Sequence, residues 1–227
     1  MISHEKKFIF IHIPRTGGTN LSEFLLPYCD EESLKFSPFV EAGNLHASMS
    51  EYEAYYGKEI LDYTLFTIVR DPWDRALSQA LKHNNKIFSR NSFRQVIFDP
   101  HRHGFWPNSH FSFLLRPDGL ADQEGPSQKY VLKSLPAALD ARSMRVRQET
   151  LYWPYFLKFE NYVNDATKML DRLKIKYDIE KLKKKTNNIA HEHYSHYYLD
   201  DERKSIKKAC GFDLQIFGYV FKDERSK

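Results

Sequence analysis

FIFIHIPRTGGTN, residues 8–20, is the stretch on which the reading of this chain turns. Phe8, Ile9, Phe10, Ile11 and Ile13 are the aromatic and β-branched residues that favour a strand, and the Gly17-Gly18 pair ends it. Beyond the glycines, Leu21, Phe24, Leu25 and Tyr28 recur at helical spacing, predicting a helix over 19–28. A strand that passes through a glycine turn into a helix aims several backbone N–H groups at one point. The helix dipole adds positive potential there, so the turn is suited to an anion. Thr16 and Thr19 bring hydroxyls, and Arg15 brings a cation with fixed donor geometry. Read alone, the glycines equally fit an ordinary tight reversal. The GxxxxGK[ST] pattern of nucleotide-binding loops is absent.

The same theme returns in YTLFTIVRDPWDRALSQALK, residues 63–82. Leu65 to Val69 reads as a strand, Arg70-Asp71 ends it, and Pro72 suits the first turn of a helix. Ala76, Leu77, Ala80 and Leu81 fall on one face of that helix. Two strand–turn–helix units predict an α/β fold with a central parallel sheet, flanking helices and a P-loop-like core. Between them, residues 30–45 read as loop, and a short helix is expected from Ser50 as N-cap, with Glu53 three residues on, to Tyr56, closed by Gly57. Residues 84–150 carry Pro100, Pro107, Pro117, Pro126 and Pro136 and read as an irregular, substrate-shaping insertion. Order returns with a strand over Tyr155–Phe159 and a helix capped by Asn161 and running to Leu173. KLKKKT, residues 181–186, reads as a solvated basic face. A helix over Leu199–Cys210 and a turn with an aromatic plug over Phe212–Phe221 complete the chain. With no internal repeat, one domain spanning 1–227 is expected.

Composition narrows the class. The 227 residues are 15% aromatic and 28% charged, the balance of a chain that buries a core. A net charge of +4 suits an anionic ligand but falls short of the basic stripe of a nucleic-acid binder. Cys29 and Cys210 are the only cysteines, too few for a disulfide framework or a cysteine zinc site. MISHEKK leads straight into the first strand with no signal-peptide pattern, and no apolar run approaches the roughly 20 residues of a membrane span. A cytoplasmic protein of a reducing compartment is expected.

HIPRTGGTNL resembles the 5′-phosphosulfate loop of sulfotransferases that use 3′-phosphoadenosine 5′-phosphosulfate (PAPS), closest to the carbohydrate branch, where the loop commonly reads PKTGGTS. FTIVRDPWDRALS resembles the second signature of that superfamily, an Arg with a Ser eight residues on. FLKFENY, HYSHYY and FGYVF carry the likeness more weakly toward the C-terminus, and residues 84–150 show little of it. The resemblance implies that Arg15, Thr16, Gly17, Gly18, Thr19 and Asn20 cradle the phosphosulfate while Arg70 and Ser78 hold the 3′-phosphate. It implies PAPS as donor, 3′-phosphoadenosine 5′-phosphate (PAP) as product, and a small-molecule or glycan acceptor. Arg15 stands where the family has lysine; it stays cationic but cannot donate a proton near neutral pH. Asn20 stands where the family has serine.

Transfer to a hydroxyl calls for a base, and ten histidines compete for the role. In the glycosaminoglycan O-sulfotransferases a histidine in a similar LHA context, ahead of the RDP strand, takes the acceptor proton. The resemblance therefore assigns His46, in GNLHAS, which read alone is a loop histidine. His12, inside the first strand segment, reads as structural or orienting. His191, His193 and His196 have loosely ligand-like spacing but no accompanying carboxylate motif, so no metal is expected. The resemblance places Asn188, His193, Tyr194 and Tyr198 along the acceptor cleft, with packing the alternative for the tyrosines. His101, His103, His110, Trp106 and Asn108 are further candidates for an acceptor pocket. Two rivals stay open at this level: a nucleotide phosphotransferase, which lacks its magnesium-binding hydroxyl here, and a non-catalytic anion-binding module.

Overall fold

A computed structural model describes residues 1–30, 46–98, 110–114, 154–184 and 191–225. They fall into two compact units. One comprises Met1–Val69 with Ser112–Asn187, the other Arg70–Phe111 with Asn188–Lys227.

The first unit holds the sheet. Strands β1 (Ile2–Ser3), β2 (Phe8–Ile11), β3 (Thr64–Val69) and β4 (Tyr155–Lys158) lie in that order. The pairs β2–β3 and β3–β4 are parallel, as two strand–turn–helix units require, with Phe10 opposite Phe66 and Ile68 opposite Leu157. Strand β1 is a short antiparallel addition against β2 that the sequence did not announce. All four residues of β2 are fully buried, as expected of a strand covered on both faces. The rings of Phe10 and Phe66 stack at 5.1 Å between centroids. Each such buried ring contributes about 1.5–3 kcal/mol by leaving water. The one polar side chain in β3 that is wholly buried, Thr67, donates its hydroxyl to the Ile11 carbonyl at 2.7 Å.

Helix α1 (Gly18–Leu25) follows β2 and sends Leu21 and Leu25 into this core. Helix α2 (Met49–Tyr56) begins two residues before the expected start. Ser48, not Ser50, is its N-cap, and Glu51, not Glu53, completes the capping box through a 2.6 Å bond from the Ser48 N–H. Burial of Met49 and Tyr52 selects this register. Gly57 closes the helix at φ +81°, a conformation natural to glycine. Past β4, helix α5 (Tyr162–Arg172) presents Tyr162, Ala166, Met169 and Leu170 to the core, one apolar stripe at helical spacing. Helix α6 (Ile179–Lys183) carries the first half of the basic run, with Lys181 and Lys183 exposed.

The second unit is helical. Helix α3 (Pro72–His83) packs Trp73, Ala76, Leu77, Ala80 and Leu81 against α4 (Arg90–Phe98) and α7 (Asp200–Ala209). Two expectations are corrected here. The segment read as irregular contains α4, whose Phe93, Val96 and Ile97 form a buried helical stripe. The region read as a turn after Phe212 is helix α8 (Gly211–Phe217), ended by Gly218 at φ +69°. The aromatic plug is present beyond it: Phe221 meets Trp73 edge-on at 5.3 Å and Tyr194 at 5.4 Å. Among the described residues no helix is long and apolar enough to cross a membrane.

Candidate active site

The turn after β2 is built from backbone. Arg15 sits at φ +66° and Gly17 at φ +86°, so left-handed residues alternate with ordinary ones and turn successive N–H groups inward. The left-handed form costs a residue with a Cβ on the order of 1 kcal/mol, which singles out Arg15 as a held position. Gly17 is the N-cap of α1 and has no side chain with which to cap it. No N-cap side chain therefore competes for the first N–H groups of the helix, the groups from which anion sites are made.

Neither glycine is replaceable. A Cβ on Gly17 would lie 2.7 Å from the Phe159 ring, and one on Gly18 would lie 2.3 Å from Cδ2 of His12. The loop is thus sandwiched between two aromatic rings of its own unit. The Thr16 hydroxyl is buried and donates to the Ile13 carbonyl at 2.8 Å, so it braces the turn. Thr19 is exposed on the first turn of α1. Asn20 is buried and its side chain is engaged within the protein. Its Nδ2 donates to the Lys181 and Lys184 carbonyls at 3.2 Å each, and its Oδ1 accepts from the Tyr162 hydroxyl at 2.6 Å. Burial pushes that Tyr162 phenol well above its ordinary range, which keeps it a donor.

His46 lies beside this loop's supports. Its Nδ1 is 2.7 Å from the His12 carbonyl oxygen, so Nδ1 carries the proton and Nε2 keeps the basic lone pair. The His46 and His12 rings meet edge-on at 4.7 Å, and the His12 ring is the one that bears on Gly18. A chain of contacts therefore runs Gly18–His12–His46 within the first unit.

The second strand end, in the second unit, works differently. Arg70 is 6% exposed, and its Nε donates to Asp74 Oδ2 at 2.7 Å. The other oxygen of Asp74 is 3.4 Å from His191 Nε2. Asp71 caps α3 itself, its Oδ1 accepting from the N–H groups of Trp73 at 2.9 Å and Asp74 at 3.4 Å. Ser78 is on the same helix and buried. Asp74 is a partner of Arg70 that sequence reading passed over; its signal was the i, i+4 spacing from Arg70, one helical turn.

The C-terminal candidates divide. Asn188 lies outside the described residues. His193 is the N-cap of the 3₁₀ turn Tyr194–Tyr197, its Nδ1 2.9 Å from the Ser195 hydroxyl. Tyr194 is buried in the aromatic cluster, with its hydroxyl accepting from the Lys222 N–H at 3.0 Å, and burial pushes its phenol well up. Tyr198 is buried likewise and donates to the Trp73 carbonyl at 2.8 Å. The bland reading of both tyrosines, packing, is the one the geometry supports. His110, a candidate for an acceptor pocket, is wholly buried and faces α8 instead. Among the described residues no group of three or more His, Cys, Asp or Glu side chains is arranged to hold a metal ion.

A sheet with parallel central strands, a glycine turn after one of them and a buried arginine after the next define an α/β protein. Residues 1–131, which include both strand ends, match the family model described as "Sulfotransferase family". The chain belongs to the sulfotransferase family and is a transferase of sulfuryl groups. No curated protein and no solved structure matches it.

Proposed function

We propose that the protein moves a sulfuryl group from PAPS to an acceptor hydroxyl, on a carbohydrate as the loop's resemblance implies, with His46 as the base. The observation that carries this reading is the 2.7 Å bond between His46 Nδ1 and the His12 carbonyl, beside the loop. It fixes the tautomer that a base needs and aims Nε2 away from the strand. The loop N–H groups from Gly17 to Asn20, the Thr19 hydroxyl and Arg15 hold the 5′-phosphosulfate. Arg70, steadied by Asp74, holds the 3′-phosphate, with Ser78 as its expected partner.

The step itself is an in-line displacement. The acceptor oxygen bonds to sulfur while the bond from sulfur to the bridging oxygen breaks, and PAP departs. His46 Nε2 takes the hydroxyl proton. Arg15 and the loop amides carry the charge that develops on the leaving phosphate, as preorganised donors do for phosphoryl transfer.

Transfer of labelled sulfate from PAPS to a panel of glycans and small alcohols tests the reading. His46→Ala is expected to lower kcat by about 10²–10⁴-fold while PAP affinity, read by calorimetry, stays within about twofold. A His46→Ala protein of full activity would remove His46 from the mechanism. Binding of ATP with magnesium in preference to PAP would remove the donor assignment.

A further inference from the structure

Behind Arg70 lies a buried imidazole–carboxylate pair that the chemistry above does not use. His110 and Asp213 are both wholly buried. His110 Nε2 is 3.2 Å from the backbone nitrogen of Arg70, which donates to it. His110 Nδ1 is 3.2 Å from Asp213 Oδ1, and the same oxygen accepts the His110 backbone N–H at 2.9 Å. An imidazole nitrogen accepts a hydrogen bond only when it bears no proton. Accepting at Nε2 therefore leaves the ring proton on Nδ1, the nitrogen that lies beside the Asp213 carboxylate. The Arg70 amide sets this tautomer, and a carboxylate beside Nδ1 is compatible with it.

The surroundings hold this arrangement in place. Phe217, one turn along α8 from Asp213, meets the His110 ring edge-on at 6.1 Å. The guanidinium of Arg75, buried on α3, lies close enough to feel the charge of Asp213. A carboxylate buried without such a cation would cost several kcal/mol.

Arg70 is the first residue beyond β3, where ladder pairing has ended and a buried N–H needs another partner. His110 supplies it. The side chain of the same residue is gripped from the other direction by Asp74, at 2.7 Å from Nε. One residue is thus fixed twice, at its amide and at its guanidinium, which sets where the fork of donors points. A role for His110 as a second base is excluded by geometry: its ring has no exposure, and Nε2 is spent on the Arg70 amide.

We propose that His110 and Asp213 are positioning residues for the 3′-phosphate grip of Arg70, so that helix α8 helps set donor affinity without touching the donor. This rests on the reading of Arg70 as a donor ligand. No proton is transferred by the pair.

The tautomer is read directly from long-range ¹H–¹⁵N correlations of the wild-type protein, which are expected to show His110 protonated at Nδ1 and bare at Nε2. PAP affinity and steady-state kinetics are then compared across two variants. His110→Phe keeps a ring but offers no acceptor, and is expected to raise the PAP dissociation constant and the KM for PAPS about tenfold with kcat within twofold. His110→Gln can accept from Arg70 and donate to Asp213, and is expected to recover most of that loss. A ring proton on Nε2, or a folded His110→Phe with wild-type PAP affinity, would overturn the proposal. If His110→Phe does not fold, the tautomer and the PAP affinity of Asp213→Asn decide it, with unchanged affinity counting against. Wild-type protein that fails to bind PAP would overturn the donor reading itself, and the tautomer would then describe a purely structural pair.

Discussion

In the function proposed above both strand ends hold an anion beside a helix start, and they are built by opposite means. After β2 the grip is backbone. Arg15 and Gly17 take left-handed conformations, and Gly17 leaves α1 without a side-chain cap. After β3 the helix start is closed, because Asp71 takes the N–H groups of Trp73 and Asp74. A capped N-terminus with a carboxylate on it repels a second anion. Any phosphate there must be met by the Arg70 side chain, and side chains need aiming. Asp74 at the guanidinium and His110 at the amide supply that. A backbone site is rigid because the fold is rigid; a side-chain site must be made rigid by its neighbours.

This contrast can be broken at either end. The largest effect is expected from Gly18→Val, whose branched side chain would enter the space of the His12 ring, 2.3 Å from the Cβ position. Loss of sulfate transfer below detection is expected, together with destabilisation of about 1–3 kcal/mol from overpacking, read by thermal unfolding. Wild-type activity in that variant would show that the loop tolerates a side chain and is no backbone cradle. A smaller effect is expected from Arg70→Ala. Loss of a charged donor from a phosphate costs about 1.5–3 kcal/mol, or about 10–150-fold in PAP affinity by calorimetry, with His46-dependent chemistry intact at saturating donor. Smaller again is Asp71→Ala, which removes an N-cap and should cost about 1 kcal/mol of stability. Because it also opens the second helix start, PAP affinity should hold or rise. A fall in affinity larger than the fall in stability would mean that Asp71 does more than cap.

Legibility in the sequence followed the range of the interactions. Strands β2 and β3, the glycine turn, Pro72 at the start of α3 and the apolar face of α5 were readable, because each is written in residues a few positions apart. Helix α2 shows where that fails. Both Ser48-x-x-Glu51 and Ser50-x-x-Glu53 are capping-box patterns, so local chemistry permits two starts. Burial of Met49 and Tyr52 chooses the first. Helix α4 was legible in principle from Phe93, Val96 and Ile97, but prolines further along drew the segment into an irregular reading. Strand β1, two residues long, has too little pattern to show before its partner is known.

The candidate site divides along the same line. Sequence singled out Arg15, the glycines, His46 and Arg70. It did not separate Thr16 and Asn20, whose side chains brace the protein, from the exposed Thr19 beside them. Hydroxyl and amide groups look alike in a string of letters, and only their partners decide whether they serve the fold or a ligand. Asn20 meets carbonyls more than 150 positions away, at Lys181 and Lys184.

By itself, then, the sequence determined that this chain builds an α/β sheet with parallel central strands and a glycine turn after its first long strand. Strand propensity, glycine freedom and helix periodicity all act over a few residues. The tertiary structure alone decided which nitrogen of His46 keeps its lone pair, and that His110 and Asp213 stand behind Arg70. Tautomers and second supports are set by hydrogen bonds between segments far apart in the chain, and such bonds come into being only when folding brings the segments together.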